Sequence, residues 1–315
     1  MLAVVAAGAM TMGLAMPAFA ADAGEGTKKV TEAYISKTYN TEVGKAMQFN
    51  FTATQDTAGA DLVQKPVACT IPSISFTENE TGTTKKVSEA IKFAPFNEAG
   101  KYEYTVKETT SEPAITDSKL EKLIMSKAEY KMTVYVVEDP ENNFKVDQIV
   151  VNKTKNDKGT DEGGKVDISG DETKNTFNFV NTYVQEAGTG PDPSKPDPTY
   201  NDNGALKVSK TIAAPEGSID SSATFNFTAT FAFPEGTDAN TLGGVKGNEA
   251  DVSLTDGTCT FSLKHGQNMK FTGLPVGTKI TVTEAGAANY KGSASVVLNG
   301  GDAKIVAAGK YHEDL

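Results

Sequence analysis

Lys101-Tyr-Glu-Tyr-Thr-Val-Lys-Glu108 decides the fold class. Tyr102, Tyr104 and Val106 fall two residues apart, the period of a strand with one buried face. The same alternation marks Ala33–Tyr39, Met47–Thr54, Ile74–Thr77, Tyr130–Val137, Lys145–Val151 and Thr176–Val184. A second series runs through Ala205–Ile212, Thr224–Phe231, Thr258–Leu263, Asn268–Phe271, Thr278–Glu284 and Ala294–Leu298. Many short strands separated by turns predict an all-β protein built from sandwiches. One helix is expected, over Thr116–Ser126, where Leu120, Leu123 and Ile124 stand at helical spacing.

At 315 residues the chain has room for two such domains. A Pro- and Gly-rich stretch over residues 186–204 predicts a semi-rigid linker between a first domain, 27–185, and a second, 205–315. Phe49-Asn-Phe-Thr-Ala-Thr54 recurs as Phe225-Asn-Phe-Thr-Ala-Thr230, an offset of 176, so the domains read as a duplication. Residues 1–20 end in Ala18-Phe19-Ala20 and are expected to be a signal peptide, although no Lys or Arg precedes the apolar run and the true start is expected upstream. Export then calls for a covalent staple, and Cys69 and Cys259, in different domains, do not supply a disulfide framework.

The net charge of -11 argues against nucleic acid or an anionic membrane as partner. No phosphate loop, His-Glu-x-x-His or Cys-x-x-Cys motif occurs, so no enzyme, metal or cofactor is expected. His265 reads as an exposed turn residue, His312 as part of a polar tail, and Cys69 as a small apolar residue rather than a thioester former.

Three polar residues break the apolar faces. Lys37 alternates with Ala33, Ile35 and Tyr39; Glu108 follows Tyr102, Tyr104 and Val106; Asn181 sits between Phe179 and Tyr183. Burial lowers a lysine pKa and raises a glutamate pKa, so an inward pair exists as neutral amine beside neutral acid. Such an amine can attack the Asn181 amide while Glu108 polarises its carbonyl and shuttles protons. The products are a Lys37–Asn181 amide and ammonia. Alternation alone leaves open that one or more of these side chains reaches out to water at a sandwich edge.

Ile35-Ser-Lys-Thr-Tyr39, Gly100–Thr109, Met132–Val137 and Phe179-Val-Asn-Thr-Tyr183 resemble the N-terminal domain of two-domain streptococcal-type major pilins. Leu206-Lys-Val-Ser-Lys210 and Gly273–Glu284 resemble the second domain of that family, related to the B-type repeats of collagen-binding adhesins. The resemblance implies that Lys37 forms the bond, Asn181 is its partner and Glu108 the catalyst, with Lys210 and Glu284 as counterparts in domain two. The repeat agrees, since 108 plus 176 gives 284. It further implies a shaft subunit of a cell-surface pilus, joined to other pilin subunits by a sortase at an acceptor lysine. Lys174, seven residues before Asn181, matches the acceptor position, and Lys158, Lys165 and Lys195 are rivals.

The end departs from the family pattern. The offset puts the partner of Lys210 at 357, past Leu315; Asn299 lies in a turn; and no Leu-Pro-x-Thr-Gly sorting motif occurs, so a C-terminally truncated subunit is expected. The competing readings are the stalk of a wall-anchored adhesin, with host ligands as partners, and a secreted carbohydrate-binding module. The absence of Trp speaks against the module.

Overall fold

A computed structural model describes residues 29–215, 217–298, 301–306 and 312–314. The expected signal peptide and Asn299 lie outside the described residues. In chain order the first domain comprises β1 (Ser36–Thr41), β2 (Met47–Asp56), β3 (Cys69–Thr70), β4 (Ile74–Phe76), β5 (Gly82–Val87) and β6 (Lys92–Phe93). It continues with β7 (Gly100–Glu112), β8 (Glu121–Ile124), β9 (Glu129–Glu138), β10 (Phe144–Lys155), β11 (Asp161–Lys165) and β12 (Asn178–Gln185). A short helix, α1 (Pro198–Asn203), precedes β13 (Leu206–Ser209), β14 (Phe225–Ala232), β15 (Lys246–Gly247), β16 (Ala250–Asp251) and β17 (Thr258–Leu263). β18 (Asn268–Thr272), β19 (Lys279–Glu284), β20 (Ala294–Val296), β21 (Lys304–Val306) and β22 (His312–Asp314) follow.

The first domain packs a four-stranded sheet, β5-β1-β12-β8, against a six-stranded one, β11-β10-β9-β7-β2-β4. Between them lies an aromatic core that includes Tyr39, Phe49, Tyr104, Tyr130, Phe177 and Phe179, each almost fully buried. Its first and last strands lie side by side and parallel, with Lys37 opposite Phe179 and Tyr39 opposite Asn181. A covalent tie between these strands would therefore close nearly the whole domain. A bulge in the β2–β7 ladder, between Asn50 and Phe51, sets Phe51 opposite Glu108 and re-aims the end of β7, so that alternation can turn Glu108 into the core.

The second domain pairs β13-β18-β15-β16 with β17-β14-β19-β22, and Phe271, Ala229 and Leu274 are among its fully buried residues. Here Phe227 stands opposite Glu284 on neighbouring strands. Phe51 and Phe227 are equivalent positions of the sequence repeat, so both glutamates occupy one register in the two domains.

Two local expectations are corrected. Residues 121–124 form strand β8, antiparallel to β12, not a helix. The free edge of β12 offers backbone partners, while the Ser118 hydroxyl takes the amides of Leu120 and Glu121 and ends the local coil before a helix can start. His265 is half-buried, and its Nδ1 accepts the Ile212 amide at 2.9 Å. Cys69, by contrast, packs half-buried against the apolar core as a small apolar residue would, and burial raises its thiol pKa to about 12.

Residues 186–204 dock against both domains. Glu186, Ala187 and Thr189 are buried, the Ala187 amide donates to Leu274 O at 2.9 Å and the Val276 amide to Gln185 O at 2.8 Å.

Candidate functional site

Lys37 from β1, Glu108 from β7 and Asn181 from β12 meet inside the first sandwich. The Lys37 and Glu108 side chains are 0% exposed, and Lys37 Nζ lies 2.9 Å from Glu108 Oε2. The other Glu108 oxygen accepts Asn181 Nδ2 at 2.7 Å. One carboxyl group thus bridges the amine and the amide. The Phe49 ring lies 4.4 Å from Lys37 Nζ and closes the pocket with hydrocarbon.

Burial dominates the electrostatics. Desolvation pulls the Lys37 pKa down to about 8 against the opposing pull of the Glu108 charge, and desolvation raises that of Glu108 against the charge of Lys37. Both shifts favour a neutral amine beside a neutral acid, the form in which a lysine is nucleophilic.

One detail differs from the sequence-based expectation. Glu108 does not hold the Asn181 carbonyl; it accepts the amide nitrogen, and Asn181 Oδ1 accepts the backbone N–H of Ser126 at 2.6 Å. Ser126 lies in the loop between β8 and β9, where its amide has no strand partner and can point inward. Each polar end of the amide has its own partner: a donor where negative charge would develop and a carboxyl where ammonia would leave.

The second domain repeats half of this arrangement. Lys210, one residue past β13, donates to Glu284 Oε1 at 2.5 Å with its Nζ 4.0 Å from the Phe225 ring centroid. These side chains keep 13% and 27% of their exposure. Among the described residues, no asparagine side chain joins them.

Lys174 stands in a turn ahead of β12, 71% exposed and paired with Asp171 at 3.1 Å. Lys158, Lys165 and Lys195 are exposed as well. Among the described residues, no cluster of side chains is fit to hold a metal ion, and no helix is long and apolar enough to cross a membrane.

Residues 25–184 match the model of the FctA family, described as a Spy0128-like isopeptide containing domain. The chain belongs to this family. Residues 204–312 match a second model, a domain of unknown function, DUF7601. Among solved structures the chain is similar to the major pilin of Streptococcus pyogenes, at 21% identity over 91% of this chain and 94% of that one, with a TM-score of 0.35. It is also similar to the T3.2 major pilin of S. pyogenes (18%, 90% and 94%, TM-score 0.34) and to the pilus-presented adhesin Spy0125 (9%, 90% and 96%, TM-score 0.28). No curated protein matches. The buried Lys37–Glu108–Asn181 set lies wholly within the isopeptide family match.

Proposed function

We propose that this chain is a structural subunit of a covalently assembled surface pilus whose first domain locks itself by a Lys37–Asn181 amide. The observation that carries the reading is the bridging carboxyl of Glu108, in hydrogen-bond contact with both the amine and the amide inside a sealed core. Membership of an isopeptide-containing family and the sequence resemblance to major pilins support it.

The geometry derives the chemistry. The lone pair of Nζ attacks Cγ of Asn181; the carbonyl electrons move onto Oδ1, where the Ser126 N–H meets the developing charge. Glu108 takes a proton from Nζ through Oε2 and gives one to Nδ2 through Oε1. The C–Nδ2 bond breaks, ammonia leaves and the acid is regenerated. The reaction happens once per chain, so Glu108 serves a single turnover and the protein is no enzyme in the ordinary sense. Glu284 would serve Lys210 in the same way wherever an amide partner reaches it.

Export, attachment to the wall and sortase-mediated joining through Lys174 complete the proposal. In it the partners are other pilin subunits and, for the assembled fibre, host surface ligands. The test is intact mass together with polymerisation. The first domain should weigh about 17 Da less than its sequence, the mass of the ammonia lost. Lys174→Arg keeps the charge but removes the nucleophilic amine, so covalent ladders should vanish in a sortase-competent strain. A full-mass first domain sinks the cross-link, and ladders that persist in the variant move the acceptor to another lysine.

A further inference from the structure

The Ser126 amide is only as useful as its aim, and a loop residue needs something to hold it. Asp157, in the turn between β10 and β11, does this from a distance. Its Oδ1 accepts the Ser126 hydroxyl at 2.6 Å and the backbone N–H of Val180 at 2.8 Å. Val180 is the strand neighbour of Asn181. One carboxylate oxygen therefore ties the loop that carries the oxyanion donor to the strand that carries the reacting amide. The Asp157 carbonyl also accepts the Lys127 amide at 3.0 Å, a second hold on the same loop.

We infer that Asp157 is a positioning residue for amide formation, fixing the Ser126 N–H against Asn181 Oδ1 through hydrogen bonds to both elements. This rests on the isopeptide reading and adds a part to it. Asp157 touches none of the reacting atoms and acts through Ser126 and Val180. Its negative charge is not what the reaction needs. It opposes the neutral form of Lys37 while favouring the neutral form of Glu108, so the contribution that helps without conflict is the acceptor geometry.

Oxyanion donors work by being pre-aimed, and a displacement of about 1 Å at a reacting centre costs on the order of a hundredfold in rate. The experiment follows full-length chain made by cell-free translation, sampled at intervals for the loss of about 17 Da that marks ammonia release. Asp157→Ala should slow that loss about tenfold or more, leaving a full-mass population that converts late. Asp157→Asn keeps an oxygen acceptor without the charge and should recover the rate to within about threefold of the unmodified chain. Ser126→Ala keeps the backbone N–H but removes the hydroxyl that donates to Asp157 and accepts the Ala128 amide at 3.1 Å, so it should fall between the two.

A general folding defect is read separately, by adding Asp157→Ala to a Glu108→Ala chain that forms no bond and comparing melting. If Asp157→Ala fails to fold, Ser126→Ala decides alone. Conversion at the unmodified rate in the folded Asp157→Ala chain, or in Ser126→Ala when it must decide, overturns the inference and leaves the isopeptide intact. An unmodified chain that never loses mass overturns the isopeptide reading itself, and this inference with it.

Discussion

The two domains carry the same lysine–glutamate pair in the same register, yet in different surroundings. Phe51 faces Glu108 and Phe227 faces Glu284, but the first pair is sealed and the second keeps some water contact. A third group makes the difference. In domain one, β12 lies parallel to β1 and brings Asn181 over the pair, covering it. In domain two, β13 is hydrogen-bonded on one side only among the described residues, to β18. Register sets the pair; in the proposed reading the neighbouring strand decides whether it becomes a reactive centre or remains an ordinary ion pair.

The sharpest way to break the comparison is Glu108→Ala. Without the carboxyl there is no proton route, the full mass returns, and Lys37 and Asn181 remain separate. The proposed cross-link between residues 37 and 181 would restrict a long loop of the unfolded chain, worth about 4 kcal/mol by analogy with long-loop disulfides. Denaturant unfolding of the first domain should show a loss of that order. An unchanged midpoint would mean that the two domains differ in appearance only.

A smaller effect has a definite sign with pH. Asn181→Ala leaves Lys37 as a free buried amine, its pKa lowered to about 8 while the unfolded value stays near the ordinary lysine range. Between these values the unfolded chain binds more protons, so the Lys37 contribution makes the variant more stable as pH rises from about 8. The unmodified chain should lack that gain, because an amide nitrogen does not titrate. The comparison must stop below about pH 10, where the raised pKa values of buried Tyr39, Tyr104 and Tyr130 act with the opposite sign. Equal slopes in the two proteins would deny that Lys37 is a free amine in the variant alone.

Much of this was legible beforehand because the informative residues violate a pattern. Lys37, Glu108 and Asn181 stand on faces otherwise made of Ile, Tyr, Val and Phe, and a polar residue on an apolar face demands a partner. The Ser126 donor left no such trace, since every residue but proline carries a backbone N–H; only the fold reveals which one is aimed. Asp157, in Asn156-Asp-Lys-Gly159, reads as turn chemistry and acts also as an anchor. Strand β5, Gly-Thr-Thr-Lys-Lys-Val, escaped notice because an edge strand needs no alternating apolar face. Composition misled most at Glu186, which Pro and Gly neighbours place in a linker and the structure places in the junction.

Glu186 itself supplies a test of how firmly the two domains are joined. Its Oε1 accepts the Gly273 amide at 2.8 Å and the Tyr200 hydroxyl at 3.1 Å, while Oε2 is buried without a partner among the described residues. Burial pushes its pKa up to about 8. A raised acid pKa means that the folded junction binds more protons, so its contribution is full below the ordinary carboxylate range and is lost as pH rises through about 8. Glu186→Gln keeps an acceptor and removes the charge. Protease cleavage within residues 186–204 should quicken from pH 6 to pH 9 in the unmodified chain and stay level in the variant. Parallel acceleration in both would place the pH response elsewhere.

The smallest effect belongs to Glu284→Ala, and its smallness is the point of the comparison. The Lys210–Glu284 pair is held by one short contact and a nearby ring, and both side chains reach solvent. Pairs of this kind contribute up to about 1 kcal/mol, because water screens the charges and two long side chains must be ordered to meet. Removing Glu284 should therefore lower second-domain stability by no more than that and leave the chain mass unchanged apart from the substitution. Lys210 then keeps the Phe225 ring and gains water, so it is not stranded as Lys37 is without Glu108. A loss in domain two as large as that from Glu108→Ala would show that the second pair is already a closed centre, and the distinction between the domains would fall.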